Sequence, residues 1–169
     1  MNVTLVEPNN EYLTINDDPE GVMVREKADL PDGEEVTALT SVHGSPGFSS
    51  GQQGYWEVRL GDENVGIKKS WWVGVTVPSA SYSSLFLASK GDEISVNTKT
   101  GDRQVVAVTY RPEILGVYLN YDMGQLSFYD AVTQKHIVTL VTKFPKEVVP
   151  FFNPGKGDMA TMTILHEED

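Results

Sequence analysis

Short segments in which apolar and polar residues alternate run through this chain, and they constrain the fold more than any other feature. Successive side chains of a β-strand point to opposite faces, so a period of two residues predicts half-buried strands. No window of a dozen residues keeps apolar side chains at helical spacing without a Gly or Pro. We predict about a dozen strands, at residues 12–15, 22–24, 54–60, 70–77, 84–88, 93–98, 104–110, 115–120, 125–129, 137–141, 148–152 and 160–165.

Turn residues separate these segments at a spacing close to the roughly 8 to 12 residues that is typical of antiparallel sandwiches. The turns are predicted at Asp32-Gly33, Gly61-Asp62, Gly91-Asp92, Gly101-Asp102, Asp122-Met123-Gly124 and Asn153-Pro154-Gly155. The pattern predicts an all-β fold: a two-layer antiparallel β-sandwich of the concanavalin or lectin-like jelly-roll type, with little helix. Because neither an internal repeat nor a linker is evident, we expect residues 1–169 to form a single domain.

The segment 115–130 reads as a hairpin that closes at Gly124, a residue that can adopt a positive φ. Leu115, Val117 and Leu119 share one face of the first strand, and Leu126 and Phe128 share one face of the second. An apolar face on each strand is typical of a sheet that packs on a second sheet. We therefore expect most of this hairpin to lie in the core, not on a binding surface.

The charge and residue content exclude several classes of function. The chain has 13 basic and 24 acidic residues, a net charge of −11, and no cysteine. Because phosphate backbones and anionic lipids repel such a chain, we expect neither nucleic acid binding nor membrane insertion. The absence of cysteine excludes disulfides and thiolate ligands and fits a reducing compartment, so we expect a cytoplasmic protein.

The sequence offers no pattern of a catalytic, metal or cofactor site. His43, His136 and His166 are far apart, and no nucleophile elbow, phosphate loop or calcium loop is present. We interpret the serines of segment 79–84 as part of a surface loop, and acidic turns such as 61–64 as solvated. We therefore predict no catalytic residue, no metal and no cofactor, and a domain that is not an enzyme.

Four motifs resemble those of the PRY-SPRY (B30.2) domain, the β-sandwich that ends many tripartite-motif (TRIM) E3 ubiquitin ligases and butyrophilins. They are Phe48-Ser49-Ser50-Gly51 with Tyr55-Trp56-Glu57-Val58, Trp72-Val73-Gly74-Val75, residues 119–129, and Pro150-Phe151-Phe152-Asn153-Pro154-Gly155. Residues 3–15 resemble the PRY half. The resemblance implies a PRY-like segment at about 1–50 and a SPRY-like segment at about 51–169. Of the adjacent Trp71 and Trp72, we take Trp72 as buried from the family's pattern, and we assign Trp56, Val58 and Phe128 to the core.

The resemblance implies a non-catalytic module that recognises a protein or peptide ligand, as the target-binding domain of a tripartite-motif ubiquitin ligase with a role in innate immunity. Oligomerisation would occur through a coiled coil upstream. Carried over by alignment, the candidate ligand-binding residues are Thr37, Glu93, Ile94, Ser95, Val96, Asn97 and Lys156. An ordinary amphipathic strand, with Ile94 and Val96 inward and Glu93, Ser95 and Asn97 in water, is the other interpretation of segment 93–97.

Two alternative functions remain open at this point. A lectin-like domain could stack and hydrogen-bond a saccharide with Trp71, Asn97 and Asn120. A butyrophilin-type sensor of a small phosphorylated ligand would need clustered basic residues, whereas Lys68, Lys69, Arg103 and Arg111 are scattered among acids.

Overall fold

The computed structural model describes residues 2–6, 12–26, 40–78, 80–91, 93–97, 103–106, 111–155 and 159–166, and none of these residues is helical. The strands are β1 (Thr4–Val6), β2 (Leu13–Asp18), β3 (Gly21–Glu26), β4 (Val42–Ser45), β5 (Gln53–Asp62), β6 (Gly66–Ile67), β7 (Ser70–Val77), β8 (Ala80–Lys90), β9 (Glu93–Asn97), β10 (Arg103–Val105), β11 (Ile114–Asn120), β12 (Gln125–Asp130), β13 (Lys135–Val141), β14 (Val149–Asn153) and β15 (Met162–Leu165).

These strands form two antiparallel sheets, which confirms the predicted β-sandwich. Sheet A has the order β1-β4-β14-β7-β8-β9-β10. Sheet B has the order β13-β12-β11-β5-β15-β3-β2, and the short strand β6 pairs with β5. The N-terminal strands enter both sheets, since β1 pairs with β4 whereas β3 pairs with β15.

One apolar core fills the space between the sheets. Alternate residues of β5 and β7 contribute to it from opposite sides, including Val58 and Leu60 from sheet B and Trp71 and Val73 from sheet A, all with no exposed surface. Phe48 stacks on Trp56 at a centroid distance of 5.7 Å. Burial of such side chains is the dominant stabilising contribution to the fold.

The hairpin β11–β12 lies in the core as predicted. Its inward side chains Leu115, Val117, Leu119, Leu126 and Phe128 are fully buried. The turn between the strands has Gly124 at a φ of 62°, and the Thr142 amide donates to the Gly124 carbonyl at 2.8 Å. The predicted parity and turn residue are therefore both confirmed.

Two predictions about individual segments differ from the structure. The strands β1, β4 and β6 were not expected, since they are short and have no long alternating run. The serines of segment 79–84 were assigned to a loop, yet β8 begins at Ala80 and pairs there with Val77 beyond an irregularity in the ladder. The Ser84 hydroxyl donates to Thr76 at 2.8 Å, so polar side chains satisfy one another across these strands.

The assignment of the adjacent tryptophans is also wrong. Trp71 is fully buried in the core, whereas Trp72 is half-buried on the opposite face of sheet A. The physical reason is strand parity: Trp71 shares its face with Val73 and Val75, which are both core residues.

Candidate functional site

The face of sheet A that points away from the core carries most of the candidate site, and we call it the outer face of sheet A. Cross-strand partners share a face, so the register defines two rows of side chains on it. The first row crosses β10, β9, β8, β7 and β14 as Val105, Ser95, Ala88, Trp72 and Asn153. The second row crosses β8, β7, β14, β4 and β1 as Phe86, Gly74, Phe151, His43 and Val6.

Aromatic rings lie side by side in the second row. The rings of Phe86 and Phe151 are 6.0 Å apart, and those of Phe151 and His43 are 6.4 Å apart. The row lacks a side chain at Gly74, where an added Cβ would overlap the backbone of β8. Phe86, His43 and Trp72 are half-buried, so each presents part of a ring to the surface. Amphipathic rings of this kind supply contact area at low conformational cost.

Exposed aliphatic side chains lie at both edges of the outer face. Val105 on β10 is 59% exposed, and Val6 on β1 is 48% exposed. Between Val105 and Trp72 the first row contains only the small side chains of Ser95 and Ala88. Ser95, Ala88 and Asn153 of the first row are at most 5% exposed, so the exposed and partly exposed apolar groups of this face lie around a buried centre.

Burial affects the titration of the imidazole on this face. Desolvation lowers the pKa of His43 below its ordinary value of 6.5. The neutral form of His43 is therefore favoured, which suits its contact with the Phe151 ring.

Segment 93–97 forms β9 as predicted, but its side chains divide between the core and the outer face. Ile94 and Val96 are 3% and 2% exposed in the core, so their side chains are not available at the surface. Ser95 was expected in water but is only 4% exposed. Glu93 and Asn97 are half-exposed at the two ends of the strand.

Asn97 has a structural partner on β8. Its Oδ1 accepts a hydrogen bond from the Phe86 amide at 2.7 Å, and its Nδ2 donates to the Ser84 carbonyl. The side-chain amide thus continues the β8–β9 ladder beyond the last backbone pair, Leu87 with Val96. A ligand that used this amide would compete with those bonds.

The candidates Thr37 and Lys156 lie outside the described residues. Their described neighbours, Thr40 and Gly155, meet at the buried side chain of Asn153. The Asn153 Oδ1 accepts from the Thr40 hydroxyl and the Gly155 amide, both at 2.9 Å. One amide at the end of β14 therefore contacts the described residues that are nearest in sequence to the two candidates.

The alternatives drawn from the sequence are not assembled as sites. Of the residues proposed to bind a saccharide, Trp71 is fully buried, and the Asn120 Oδ1 accepts a hydrogen bond from the Met123 amide at 3.1 Å. Of the basic residues, Lys68 is fully buried and its Nζ donates to the Ala160 carbonyl at 2.6 Å.

The acidic turn at 61–64 has a structural role. Asp62 accepts from the amides of Asn64 at 2.9 Å and Val65 at 2.7 Å, and from Thr161 at 2.9 Å. Partial burial acts to raise the pKa of Asp62, but these hydrogen bonds outweigh it and lower the pKa. Within the described ranges no group of His, Cys, Asp and Glu is arranged to hold a metal ion. Nor do those ranges contain a helix long and apolar enough to cross a bilayer.

The two sheets define a two-layer antiparallel β-sandwich. Residues 53–166 match the SPRY domain family, and the chain belongs to that family. SPRY domains are binding modules that mediate protein–protein interaction. The PRY-SPRY resemblance noted in the sequence is thereby confirmed.

Known relatives agree with this assignment. The chain is 31% identical to nuclear factor 7, ovary, of Xenopus laevis over 167 residues, which cover 91% of this chain and 26% of the relative. It is 36% identical to the mouse E3 ubiquitin-protein ligase TRIM31 over 120 residues, 66% of this chain and 23% of the relative. The crystal structure of the TRIM65 PSpry domain superposes with a TM-score of 0.77 at 22% identity, covering 99% of this chain and 90% of that domain. The chain thus spans about a quarter of the length of these two curated relatives.

Sequence reasoning missed most of the outer face. Trp72, Phe86, Phe151, His43 and Val105 were not among the candidates, although the parity of Val73 and Val75 already places Trp72 away from the core. The partners of each residue across the sheet depend on the strand order, which no local pattern contains.

Proposed function

We propose that this chain is the non-catalytic target-recognition domain of a tripartite-motif ubiquitin ligase, and that its protein ligand binds on the outer face of sheet A. The observation that carries the proposal is the row of aromatic rings on this face, in which the partly exposed Phe86 and His43 flank the buried Phe151, with the partly exposed Trp72 beside the row. Tryptophan and other aromatic residues are enriched among the side chains that dominate binding energy. The membership of the SPRY family and the relation to an E3 ubiquitin-protein ligase support the same function.

Electrostatics defines which partners suit this domain. With a net charge of −11 the chain attracts basic protein surfaces and repels phosphate backbones, so we propose a polar or basic protein or peptide and not a nucleic acid. Within the candidate segment, Glu93 and Asn97 are the members with partly exposed side chains. We propose that they contribute to the rim of the interface, with Thr37 and Lys156.

The cellular setting belongs to the same proposal. The lack of cysteine is consistent with a reducing compartment, and we propose the cytoplasm. We also propose a role in innate immunity and oligomerisation through a coiled coil upstream, as the likeness to tripartite-motif proteins implies.

The test compares two tryptophans that are adjacent in sequence but lie on opposite faces. A partner captured by the intact domain is purified, and its affinity is measured by calorimetry. Trp72→Ala should weaken binding about 30-fold, because loss of an interface tryptophan costs about 2 kcal/mol. Trp71→Ala should instead lower the free energy of unfolding by about 3 to 5 kcal/mol, since it removes a core side chain.

The matched control is Tyr118→Ala, which removes a half-buried aromatic residue from sheet B. It should leave the affinity within about twofold. Equal binding by Trp72→Ala, Val105→Asp and the unaltered domain would show that the ligand contacts another surface. Ile94→Asp is unsuitable for this test because Ile94 is a core residue.

A further inference from the structure

Strand β13 ends sheet B, and among the described residues its second edge is open. It pairs with β12, and no other strand in the described part of the chain pairs with it. The inward residues Val138 and Leu140 remain partly exposed, whereas Phe128 and Leu126, their partners on β12, are fully buried. Burial therefore falls off abruptly at this edge, as it does where a neighbouring strand is missing.

The register shows which backbone groups face the open edge. The Thr142 amide donates to the Gly124 carbonyl, so Thr142 faces β12. Backbone groups of alternate residues point in opposite directions along an antiparallel strand. Leu140 and Val138 therefore also face β12, whereas Thr139 and Val141 direct their N–H and C=O groups outward. Two neighbouring donor–acceptor pairs are thus available to an added strand.

The composition of β13 suits pairing more than the composition of the other sheet edges does. Residues 136–142 contain no Asp, Glu, Lys, Arg, Pro or Gly, and Val141 is 73% exposed. The opposite edge of sheet B, β2, carries Asp17 and Asp18, and the edges of sheet A are strands of three residues each. Short strands and charged side chains protect sheet edges from pairing, so β13 is the least protected of the described edges.

The charges around β13 favour an acidic partner. Lys135 begins the strand, Lys143 and Lys146 follow it, and all three are exposed. None of the three forms an ion pair with another described residue. A two-fold pairing of two copies centred on Thr139 would place Lys135 of each copy opposite Lys143 of the other. Because like charges directly opposite each other destabilise a strand pair, self-pairing is disfavoured.

We propose that the open edge of β13 accepts one extended segment of a partner protein by β-pairing, and that this segment is apolar at alternate positions and acidic at its ends. Its apolar side chains extend the inward row of Leu140 and Val138, while its acidic ends meet the flanking lysines. This surface belongs to sheet B, so it is separate from the outer face of sheet A.

The probe is a synthetic octapeptide, Glu-Val-Thr-Val-Thr-Val-Thr-Glu, with blocked ends. Amide hydrogen exchange of the full chain is followed by NMR with and without the peptide. We expect exchange at Thr139 and Val141 to slow by about tenfold when the peptide exceeds its Kd tenfold. Exchange at Val138 and Leu140 should change less, since their amides already face β12.

Two sets of variants test the backbone and the charge contributions separately. Val141→Pro removes an outward amide without removing a bond to β12, and it should weaken binding at least about fivefold. The matched Val141→Thr retains the amide and should bind like the unaltered chain. The double variant Lys135→Glu with Lys143→Glu should weaken binding of this peptide and strengthen binding of one with Lys at both ends.

Three results would overturn the proposal. The first is unchanged exchange at Thr139 and Val141 at millimolar peptide. The second is protection confined to sheet A, which would assign the peptide to the surface around Trp72. The third is protection of these amides that rises with protein concentration alone, which would assign the edge to a second copy. If Val141→Pro does not fold, binding of the peptides with Glu or Lys at both ends to the unaltered chain and to the double lysine variant still tests the proposal.

Discussion

The side-chain amide of Asn97 replaces a backbone hydrogen-bonding partner of strand β8. Its Oδ1 accepts a hydrogen bond from the Phe86 amide, and its Nδ2 donates one to the Ser84 carbonyl. At this point the backbone of β9 no longer pairs with β8. Buried backbone groups need partners, so this amide lets β8 continue beyond the reach of β9. Asn97 lies on the outer face of sheet A. Its two hydrogen bonds fix the position of its side chain at the rim of the proposed ligand-binding surface.

Gly74 has a similar effect by having no side chain. It lies between Phe86 and Phe151 in the register, and an added Cβ would overlap the Leu85 carbonyl. The glycine therefore lets the strands approach closely and leaves the two rings in contact range across it.

At the residue scale we predict that His43 makes stability depend on pH. Burial lowers the pKa of His43 in the folded chain below its ordinary value of 6.5. As the pH falls, the unfolded chain therefore takes up a proton at His43 before the folded chain does. The free energy of unfolding should therefore decrease between about pH 7.5 and about pH 5.5, and His43→Gln should reduce this slope. Urea midpoints across that range measure the effect.

The comparison variant is His136→Gln, which removes an imidazole from an exposed position on β13. It shows whether loss of any histidine changes the slope. If His43→Gln and the unaltered chain had the same pH dependence, the buried imidazole would not be its source.

Among the elements, the hairpin β11–β12 is fixed at its turn as well as along its strands. The Asp122 carboxylate accepts hydrogen bonds from the Ser50 hydroxyl at 3.1 Å and from the Gly51 amide at 2.9 Å. The Tyr121 hydroxyl donates to the Lys146 carbonyl at 2.9 Å. The turn is therefore held against two other segments of the chain.

At the element scale we predict that Gly124→Ala destabilises the hairpin more than Gly51→Ala does. Both glycines have a positive φ, 62° at Gly124 and 85° at Gly51, so each substitution imposes about 1 kcal/mol of backbone strain. At Gly124 the added Cβ would also overlap the Thr142 carbonyl, whereas at Gly51 it would meet open space. We expect a total of about 3 kcal/mol at Gly124.

Urea denaturation of the two variants measures the difference. Because both substitutions introduce similar backbone strain, the additional loss of stability in Gly124→Ala measures the cost of the steric overlap. Equal losses of stability would mean that the Thr142 backbone moves away at no cost, and that the turn is less constrained than its hydrogen bonds indicate.

For the whole molecule, the N-terminal strands belong to the same core as the rest of the sandwich. Val3, Leu13 and Val24 are 1%, 4% and 0% exposed, and β3 covers β15 in sheet B. Burial of each such side chain contributes about 1.5 to 3 kcal/mol, and the sum is comparable with the stability of a typical domain. The PRY-like and SPRY-like segments are therefore proposed to form one folding unit.

At the scale of the whole molecule we predict that residues 40–169 alone do not form a stable fold. Deletion of the preceding residues removes β1, β2 and β3 and exposes the fully buried Met162 and Ile164. NMR dispersion and the soluble yield of the truncated chain would be compared with those of the full chain. A truncated chain with a dispersed spectrum and an unchanged unfolding midpoint would show two independent units.

The sequence by itself determined most of the longer strands and, in β11 and β12, the face that enters the core, because a period of two residues is a local property. It also predicted the turn at Gly124, where a positive φ and the nearby Thr142 carbonyl favour a residue without a side chain. The alternation of side chains correctly predicted which residues of β11 and β12 are buried. Where the family's pattern replaced it, at Trp71 and Trp72, the assignment was wrong.

Only the tertiary structure decided which strands that are remote in sequence are neighbours. The outer face of sheet A brings together residues as distant in sequence as His43 and Phe151, and the open edge of β13 exists because that strand comes last in its sheet. Strand order results from packing and pairing between remote segments, so no local pattern contains it. The sequence therefore predicted a sandwich and its interior, while the position of each surface that can bind a partner depended on the assembled sheets.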